Sequence, residues 1–198
     1  MLQLVAAVVI IAHITPTKTR LNEHAMIMAH DAATTYLSGG WSHPVNTWAK
    51  TQGDGGFRAL LSCGARAFDF RPRLLGNGNL IFAHGAISIP HAVSESLAEV
   101  VAWAAANGTE TSDLVLLHIF ACSGVGCDAA TAAALASHNI AYITDCTALT
   151  NLTLGGAAAR ARLPGGGYVL ALKDCLVRCV PSRALRAQPW LHGSCVLL

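Results

Sequence analysis

The chain has 198 residues, enough to bury a substantial core, and one domain is the simplest expectation. Hydrophobic residues make up 53% of it and charged residues 12%, against about 25% charged residues in ordinary soluble domains, which excludes a disordered chain. The formal net charge is only +2, and no block of lysines and arginines exists, so nucleic-acid binding is excluded. Recognition of an anion must therefore depend on a local site.

Residues 1–24 are an N-terminal apolar segment that is either a secretory signal or the first element of the fold. The apolar run is too short to cross a bilayer. It has no positively charged start and only a weak cleavage pattern between Ala6 and Ala12. Both interpretations therefore stay open for this segment.

Short apolar runs alternate with helical or loop-like stretches along the rest of the chain. Continuous runs are typical of strands covered on both faces in a parallel sheet; they span residues 25–29, 65–71, 80–83, 114–120, 140–144 and 168–172. The glycines of 75–80 (LGNGNL) predict a hairpin or tight turn. The clearest helix is 93–107, with Ser94 as its cap and Gly108 after its end. Strands alternating with helices indicate an α/β domain.

Polar side chains follow several of these runs at the point where each run ends. They are His30 and Asp31, Asp69 and Arg71, His84, and His118. In a parallel α/β barrel, the carboxyl ends of the strands form the rim where the active site is assembled. The sequence therefore predicts a site at that rim.

The stretch 63–73 (CGARAFDFRPR) sets charges into a strand of small and aromatic residues. Alternation along a strand places Asp69 and Arg71 on one face, behind small alanines. Arg66 and Arg73 are then outward-facing or loop residues. An ion pair between Asp69 and Arg71 that only closes the strand end is the structural alternative.

Two histidines and an arginine suit the cleavage of a phosphodiester. One histidine takes a proton from the attacking hydroxyl, and the other gives a proton to the leaving oxygen. An arginine offers planar, permanently charged donors to the phosphate oxygens. A carboxylate beside each histidine would hold its tautomer.

Four segments resemble the X-region of phosphatidylinositol-specific phospholipases C, a family of (β/α)₈-type barrels among the PLC-like phosphodiesterases. They are AMIMAHDAATTYLSGG, CGARAFDFRPR, LIFAHG and DLVLLHIF. The His-Asp pair at 30–31, the Gly-x-Arg-x-x-Asp-x-Arg pattern at 64–71 and the His-Gly pair at 84–85 fit the family in order. A further likeness lies at 153–172. The resemblance implies a TIM-type barrel over residues 25–198.

The resemblance also implies a role for each site residue. His30 would be the general base and His84 the general acid, with Asp69 supporting His84. Asp31 would orient Arg71 and the base, and Arg71 would bind the phosphate.

The calcium-dependent branch of the family carries acidic residues where this chain has Arg71 and Phe120. The bacterial-type branch has an arginine in place of the metal, so the resemblance implies a calcium-independent enzyme without a cofactor. His118 is a candidate for substrate binding, although a lone histidine on an apolar strand is more typical of a core or wall residue.

The predicted barrel is incomplete, with about five or six strands, because a full barrel takes about 250 residues. The family's late-strand aspartate has no assured equivalent, although Asp174 lies at a strand end. The main hypothesis is a phosphoric diester hydrolase or lyase that acts on a phosphatidylinositol-type lipid. An inactive barrel that binds phospholipid headgroups or a protein partner is the alternative; a glycerophosphodiesterase-like or sphingomyelinase-D-like activity is less consistent with Arg71.

The cysteines and sequons favour secretion. Two spacings place cysteines at loop-closing distances: Cys122 with Cys127, and Cys175 with Cys179. The sequons begin at Asn107 and Asn151. We expect a secreted or extracytoplasmic monomer, with a cytoplasmic location as the alternative. Its expected partners are a phospholipid or small phosphodiester substrate and a membrane surface, and no nucleic acid.

Overall fold

The computed structural model describes residues 18–39 and 44–175, together with the backbone of two short strands at 177–179 and 195–197. Most of the predicted N-terminal apolar segment therefore lies outside the described residues. The helices are α1 (Pro44–Ala49), α2 (Gly56–Ser62), α3 (Val93–Asn107), α4 (Cys127–Ser137) and α5 (Leu154–Ala161). The strands are β1 (Met28–Ala29), β2 (Ala67–Phe70), β3 (Pro72–Leu74), β4 (Leu80–His84), β5 (Ile87–Ala92), β6 (Val115–Ile119), β7 (Ala141–Ile143), β8 (Val169–Lys173), β9 (Val177–Cys179) and β10 (Cys195–Leu197).

Five parallel strands form the central sheet, in the order β1-β2-β6-β8-β7. The prediction of an α/β fold with an incomplete barrel is confirmed. Strand β8 lies between β6 and β7, so the chain passes through α4 to the sheet edge and returns through α5. Because all five strands run the same way, their carboxyl ends meet at one edge of the sheet.

The apolar run 80–83 does not join the central sheet. Strands β3, β4 and β5 form a separate antiparallel sheet. The predicted tight turn at 75–80 is confirmed, because the Leu75 amide donates to the Asn79 carbonyl at the tip of the β3–β4 hairpin. A hairpin keeps β4 antiparallel to its neighbours, which the apolar run alone could not show. His84 therefore reaches the site from a hairpin rather than from a parallel strand.

Alternate residues of β2 and β6 pack into two separate apolar clusters. Phe68 and Phe70 are fully buried with Phe57 of α2, on the face that α3 also covers. Ala67 and Leu116 belong to the second cluster, which contains α5. Asp69 alternates with the two phenylalanines, so its carboxylate leaves the phenylalanine core and lies at the carboxyl end of the other face.

Helix α3 has the predicted bounds but a different cap. Ala92 occupies the N-cap position without a side-chain hydrogen bond, and Ser94 is an exposed residue inside the helix. Gly108 ends the helix where the chain passes close to other backbone. A Cβ atom there would lie 2.7 Å from the Ala104 carbonyl oxygen and 2.9 Å from the Gly167 Cα atom, so close packing requires glycine.

Two disulfides cross-link segments that follow the carboxyl ends of strands. Cys122 pairs with Cys127 as predicted, with a Cα–Cα distance of 5.8 Å. Cys175, whose spacing in the chain pointed to Cys179, pairs instead with Cys146 at a Cα–Cα distance of 5.4 Å. Strands β7 and β8 are neighbours in the sheet, and this brings the segment after β7 to the end of β8, where Cys146 meets Cys175. None of the described helices has the length and apolar character needed to cross a bilayer.

Candidate active site

The first histidine of the site stands at the end of β1. Strand β1 ends at Ala29, and His30 is the next residue, with 59% of its side chain exposed. The loop that follows is held by buried threonines, since the hydroxyl of Thr34 accepts hydrogen bonds from the amides of Thr51 and Gln52. The Gln52 side chain in turn donates to the His30 carbonyl at 2.6 Å. The loop therefore fixes the backbone from which His30 projects.

Asp31 adopts a left-handed backbone conformation with φ of 50°. Aspartate and asparagine tolerate this region better than most residues. The conformation directs the Asp31 amide toward Asp69, to whose Oδ2 it donates at 3.1 Å. The same turn brings the Asp31 carboxylate, only 4% exposed, into the centre of the site.

Arg71 binds both buried carboxylates. Its Nε and Nη2 donate to Oδ1 and Oδ2 of Asp69 at 3.0 and 2.6 Å, a bidentate pair. Its Nη1 lies 2.7 Å from Asp31 Oδ1. That second contact is an ion pair rather than an aligned hydrogen bond, because Asp31 Oδ1 accepts no hydrogen bond from a described residue. The guanidinium is therefore held at the strand end by two charges.

These contacts outweigh the effect of burial on Arg71. Burial lowers its pKa, but the hydrogen bonds to Asp69 and the charges of Asp69 and Asp31 raise the pKa above the ordinary value. The positive charge is thus permanent, as a phosphate site requires. Phe120 adds a cation–π contact, with the guanidinium carbon 5.5 Å from the ring centre.

Asp31 is shared by both histidines. His30 Nδ1 lies 3.0 Å from Asp31 Oδ2, and His84 Nε2 lies 3.3 Å from the same oxygen. The sequence assigned Asp69 to His84, but the carboxylate that faces His84 in the structure is Asp31. Asp69 lies instead 3.7 Å from His30 Nε2.

The neighbours of the His30 ring indicate its tautomer, and those of the His84 ring show which nitrogen faces the site. Arg71 can only donate, and its Nη2 lies 3.3 Å from His30 Nε2, so Nε2 carries the lone pair and Nδ1 bears the proton toward Asp31. This tautomer leaves Nε2 ready to accept a proton. In His84, Nδ1 is buried without a described partner, and Nε2 is the atom that faces the cluster.

His118 lies beside the cluster on the neighbouring strand. It pairs in register with Asp69, and its Nε2 is buried without a hydrogen-bond partner among the described residues. Burial lowers the pKa of His118, although the charge of Asp69 opposes the shift. A neutral ring on the wall of the site fits these surroundings.

The other two arginines of 63–73 are bound within the protein. Arg66 stacks on Trp103 at 4.4 Å and donates to the carbonyls of Leu61 and Ala65. Arg73 was predicted to face outward or lie in a loop, but it donates to carbonyl and hydroxyl oxygens around the turn after His84. No pattern in the sequence indicates these acceptors, because other segments of the chain bring them to Arg73.

The site also contains atoms of the kinds that bind metal ions. His30, Asp31 and Asp69 present ligand atoms within 4.8 Å of one another. Both carboxylates are already paired with Arg71, however, which donates to one and contacts the other. The donor set therefore fits a cation poorly while Arg71 holds this position, since a metal ion and the guanidinium would repel each other.

The fold is similar to that of bacterial phospholipases. No protein-family model and no curated protein matches the sequence. A structure of phosphatidylinositol-specific phospholipase C from Staphylococcus aureus superposes with a TM-score of 0.59, at 18% identity over 80% of this chain and 50% of that chain. The enzyme from Listeria monocytogenes gives a TM-score of 0.56, at 19% identity over 80% of this chain and 54% of that chain.

A structure of a mutant of the S. aureus enzyme is similar to this chain to the same degree, with a TM-score of 0.57 at 17% identity. The resemblance predicted from the motifs is thus confirmed at the level of the fold, that of a PLC-like phosphodiesterase barrel. The chain spans 50–54% of the length of these phospholipases.

Proposed function

We propose that the chain is a phosphoric diester hydrolase or lyase that cleaves a phosphatidylinositol-type lipid. The observation that carries the proposal is the shared carboxylate: two histidines and one arginine lie within 3.3 Å of Asp31. General base, general acid and phosphate-binding cation thus converge on one buried charge. Similarity to the fold of bacterial phospholipases supports the same reaction class.

In the proposed reaction, His30 Nε2 takes the proton of a substrate hydroxyl, such as the 2-hydroxyl of inositol. The oxygen then forms a bond to phosphorus, and the bond from phosphorus to the glycerol oxygen breaks. His84 Nε2 gives its proton to that leaving oxygen, and Asp31, which contacts His30 through Nδ1, stabilises the His30 ring once it is charged. Arg71 binds the phosphate oxygens as their charge grows. The products are a cyclic phosphate and diacylglycerol, and no metal ion takes part.

A peripheral membrane location fits the surface around the site. Trp48 of α1, in the segment after His30, is 91% exposed, and an exposed tryptophan is suited to a lipid headgroup layer. We propose that this residue contacts the membrane. Two disulfides support secretion. The sequence predicted a domain boundary at residue 24, but Leu21 is buried in the second apolar cluster and its amide donates to the Leu152 carbonyl, so the end of segment 1–24 packs on the domain.

Binding of phospholipid headgroups without turnover is the second candidate. The observation that favours it is Arg71, which would bind a headgroup phosphate whether or not the histidines act on it. Liposome binding without any cleavage would identify this function.

The test is ³¹P NMR of phosphatidylinositol vesicles incubated with the protein, with and without EDTA. We expect a cyclic phosphate product, unchanged by the chelator. His30→Ala and His84→Ala should each slow cleavage by at least about 10²-fold, while His138→Ala, at the end of α4, serves as the matched control. Cleavage at the wild-type rate in either site variant would overturn the proposal, and loss of activity in EDTA would overturn its metal-free form.

A further inference from the structure

Arg73 of β3 joins two segments that are distant in the sequence. Its Nη2 donates to the Gly85 carbonyl at 2.6 Å, and its Nη1 donates to the Ala86 carbonyl at 3.2 Å and to the Ser88 hydroxyl at 3.0 Å. Its Nε donates to the Ser123 hydroxyl at 3.1 Å. One side chain thus ties the β4–β5 turn to the loop after β6.

The loop after β6 is a firm attachment for Arg73. The Ser123 amide donates to the Pro72 carbonyl at 3.1 Å, and the Leu74 amide donates to the Ser123 carbonyl at 2.8 Å. At Gly124, φ is +98° and an added Cβ atom would lie 2.2 Å from the Leu74 carbonyl oxygen, so the approach to β3 requires glycine. The Cys122–Cys127 disulfide closes the loop around these contacts.

His84 directly precedes the turn that Arg73 binds. Its Nδ1 has no hydrogen-bond partner among the described residues, and its Nε2 faces Asp31 at 3.3 Å. No second hydrogen bond therefore orients the ring, and its place depends on the backbone at 84–85. Gly85 adopts a φ of +57° there, a conformation that the bond from Arg73 to its carbonyl helps to fix.

We propose that Arg73 is a positioning residue that holds the general acid His84 at the leaving oxygen. The inference rests on the proposed phosphodiesterase function. Arg73 contacts neither histidine and need not touch substrate, so it acts through the turn. Arg73 makes four hydrogen bonds to this turn, to Ser88 and to the loop that anchors it, whereas Arg66 donates to carbonyls that precede the amino end of β2.

Two substrates with different leaving groups distinguish a positioning role of Arg73 from a general loss of folding. A general acid speeds the departure of an alkyl oxygen, because that leaving group is strongly basic. It has little effect on the departure of a nitrophenolate, which is weakly basic. The substrates are phosphatidylinositol and a 4-nitrophenyl phosphodiester of inositol. We expect Arg73→Met to slow cleavage of the lipid by about 10²-fold and of the nitrophenyl ester by less than about threefold. Arg73→Lys should recover part of the loss.

Arg66→Met is the matched control, because it also removes an arginine that donates to two backbone carbonyls. A loss through general destabilisation would slow both substrates equally and would appear in both variants. Equal slowing of both substrates by Arg73→Met, or no slowing, overturns the positioning role.

A readout without catalysis keeps this test apart from the proposed function. The ¹H–¹³C NMR signal of the His84 ring, assigned with His84→Gln, should shift or broaden in Arg73→Met and stay unchanged in Arg66→Met. An unchanged signal in Arg73→Met overturns the inference even if the protein cleaves neither substrate. Absence of cleavage by the wild type would count against the proposed function alone.

Discussion

The two ends of β2 each carry an arginine close to a carboxylate, yet only one end forms a candidate site. At the amino end, Nη2 of Arg66 lies 3.6 Å from Asp113, and its Nη1 donates to two backbone carbonyls. At the carboxyl end, Arg71 is bound by two carboxylates that are each 4% exposed. The difference teaches that a paired charge does not mark a site, whereas several titratable groups converging on one buried charge do.

Replacement of the two arginines by lysine should give the largest contrast. Arg71→Lys removes the planar fork that binds carboxylate and phosphate together, so phosphodiester cleavage should fall by about 10²–10³-fold. Arg66→Lys should leave the rate within about twofold of wild type, because its partners are structural. The rate of phosphatidylinositol cleavage in vesicles would be measured for both variants. Equal losses of rate in the two variants would contradict the distinction between the two ends of β2.

The two disulfides near the carboxyl edge of the sheet should contribute different amounts to the free energy of unfolding. The Cys146–Cys175 bridge closes a loop of 29 residues, so Cys146→Ala with Cys175→Ala should lower the free energy of unfolding by about 3–4 kcal/mol. The Cys122–Cys127 bridge spans only five residues, and its removal should cost about 2 kcal/mol. Urea denaturation measures both values, and the reverse order would contradict the loop-closure account.

Replacement of the two carboxylates that face these arginines, Asp69 and Asp113, should lower the free energy of unfolding by different amounts. Asp69→Asn leaves Arg71 short of a bidentate partner in a largely buried place, and we expect a loss of about 2–3 kcal/mol, below the figure for fully buried pairs because Arg71 is 20% exposed. Asp113→Asn breaks a longer and more exposed contact and should cost less than about 1 kcal/mol. Denaturant midpoints at pH 7 would show the difference, and an equal loss would speak against it.

His118 should give the smallest effect, visible only as a pH dependence. Burial lowers its pKa in the folded protein, so the unfolded chain binds the proton more readily. The stability it contributes is fully present above the ordinary pKa of about 6.5 and is lost as the pH falls through the folded value. His118→Phe should flatten the pH dependence below 6.5, by at most about 1.4 kcal/mol per pH unit. Thermal melts of the wild type and of His118→Phe between pH 7 and pH 5 would test this. If the midpoint temperatures of both proteins fell in parallel, the prediction would be wrong.

The sequence predicted the position of the site well but not its internal pairing. His30, Asp69 and Arg71 could be found because each follows an apolar run, and parallel strands bring such ends together. The contact between Asp31 and His84 depends on the left-handed turn at Asp31 and on a hairpin that enters from outside the central sheet. Neither feature leaves a periodic pattern.

Two other arrangements were equally hidden in the sequence. Cys146 reaches Cys175 because β7 and β8 are neighbours in the sheet, although the closer spacing in the chain pointed to Cys179. Arg73 finds its acceptors on the β4–β5 turn and on the loop after β6. Both depend on long-range register, which composition and local spacing do not encode.

The edges of the two larger sheets have a consequence for how copies of the protein meet. In the central sheet the edge strands β1 and β7 are only two and three residues long. In the antiparallel sheet both edge strands contain proline, Pro72 in β3 and Pro90 in β5, which lacks an amide hydrogen to donate. Within the part of the chain that the structure describes, such edges are poor templates for a strand of another molecule. They protect a protein that is 53% hydrophobic from edge-to-edge aggregation of these two sheets.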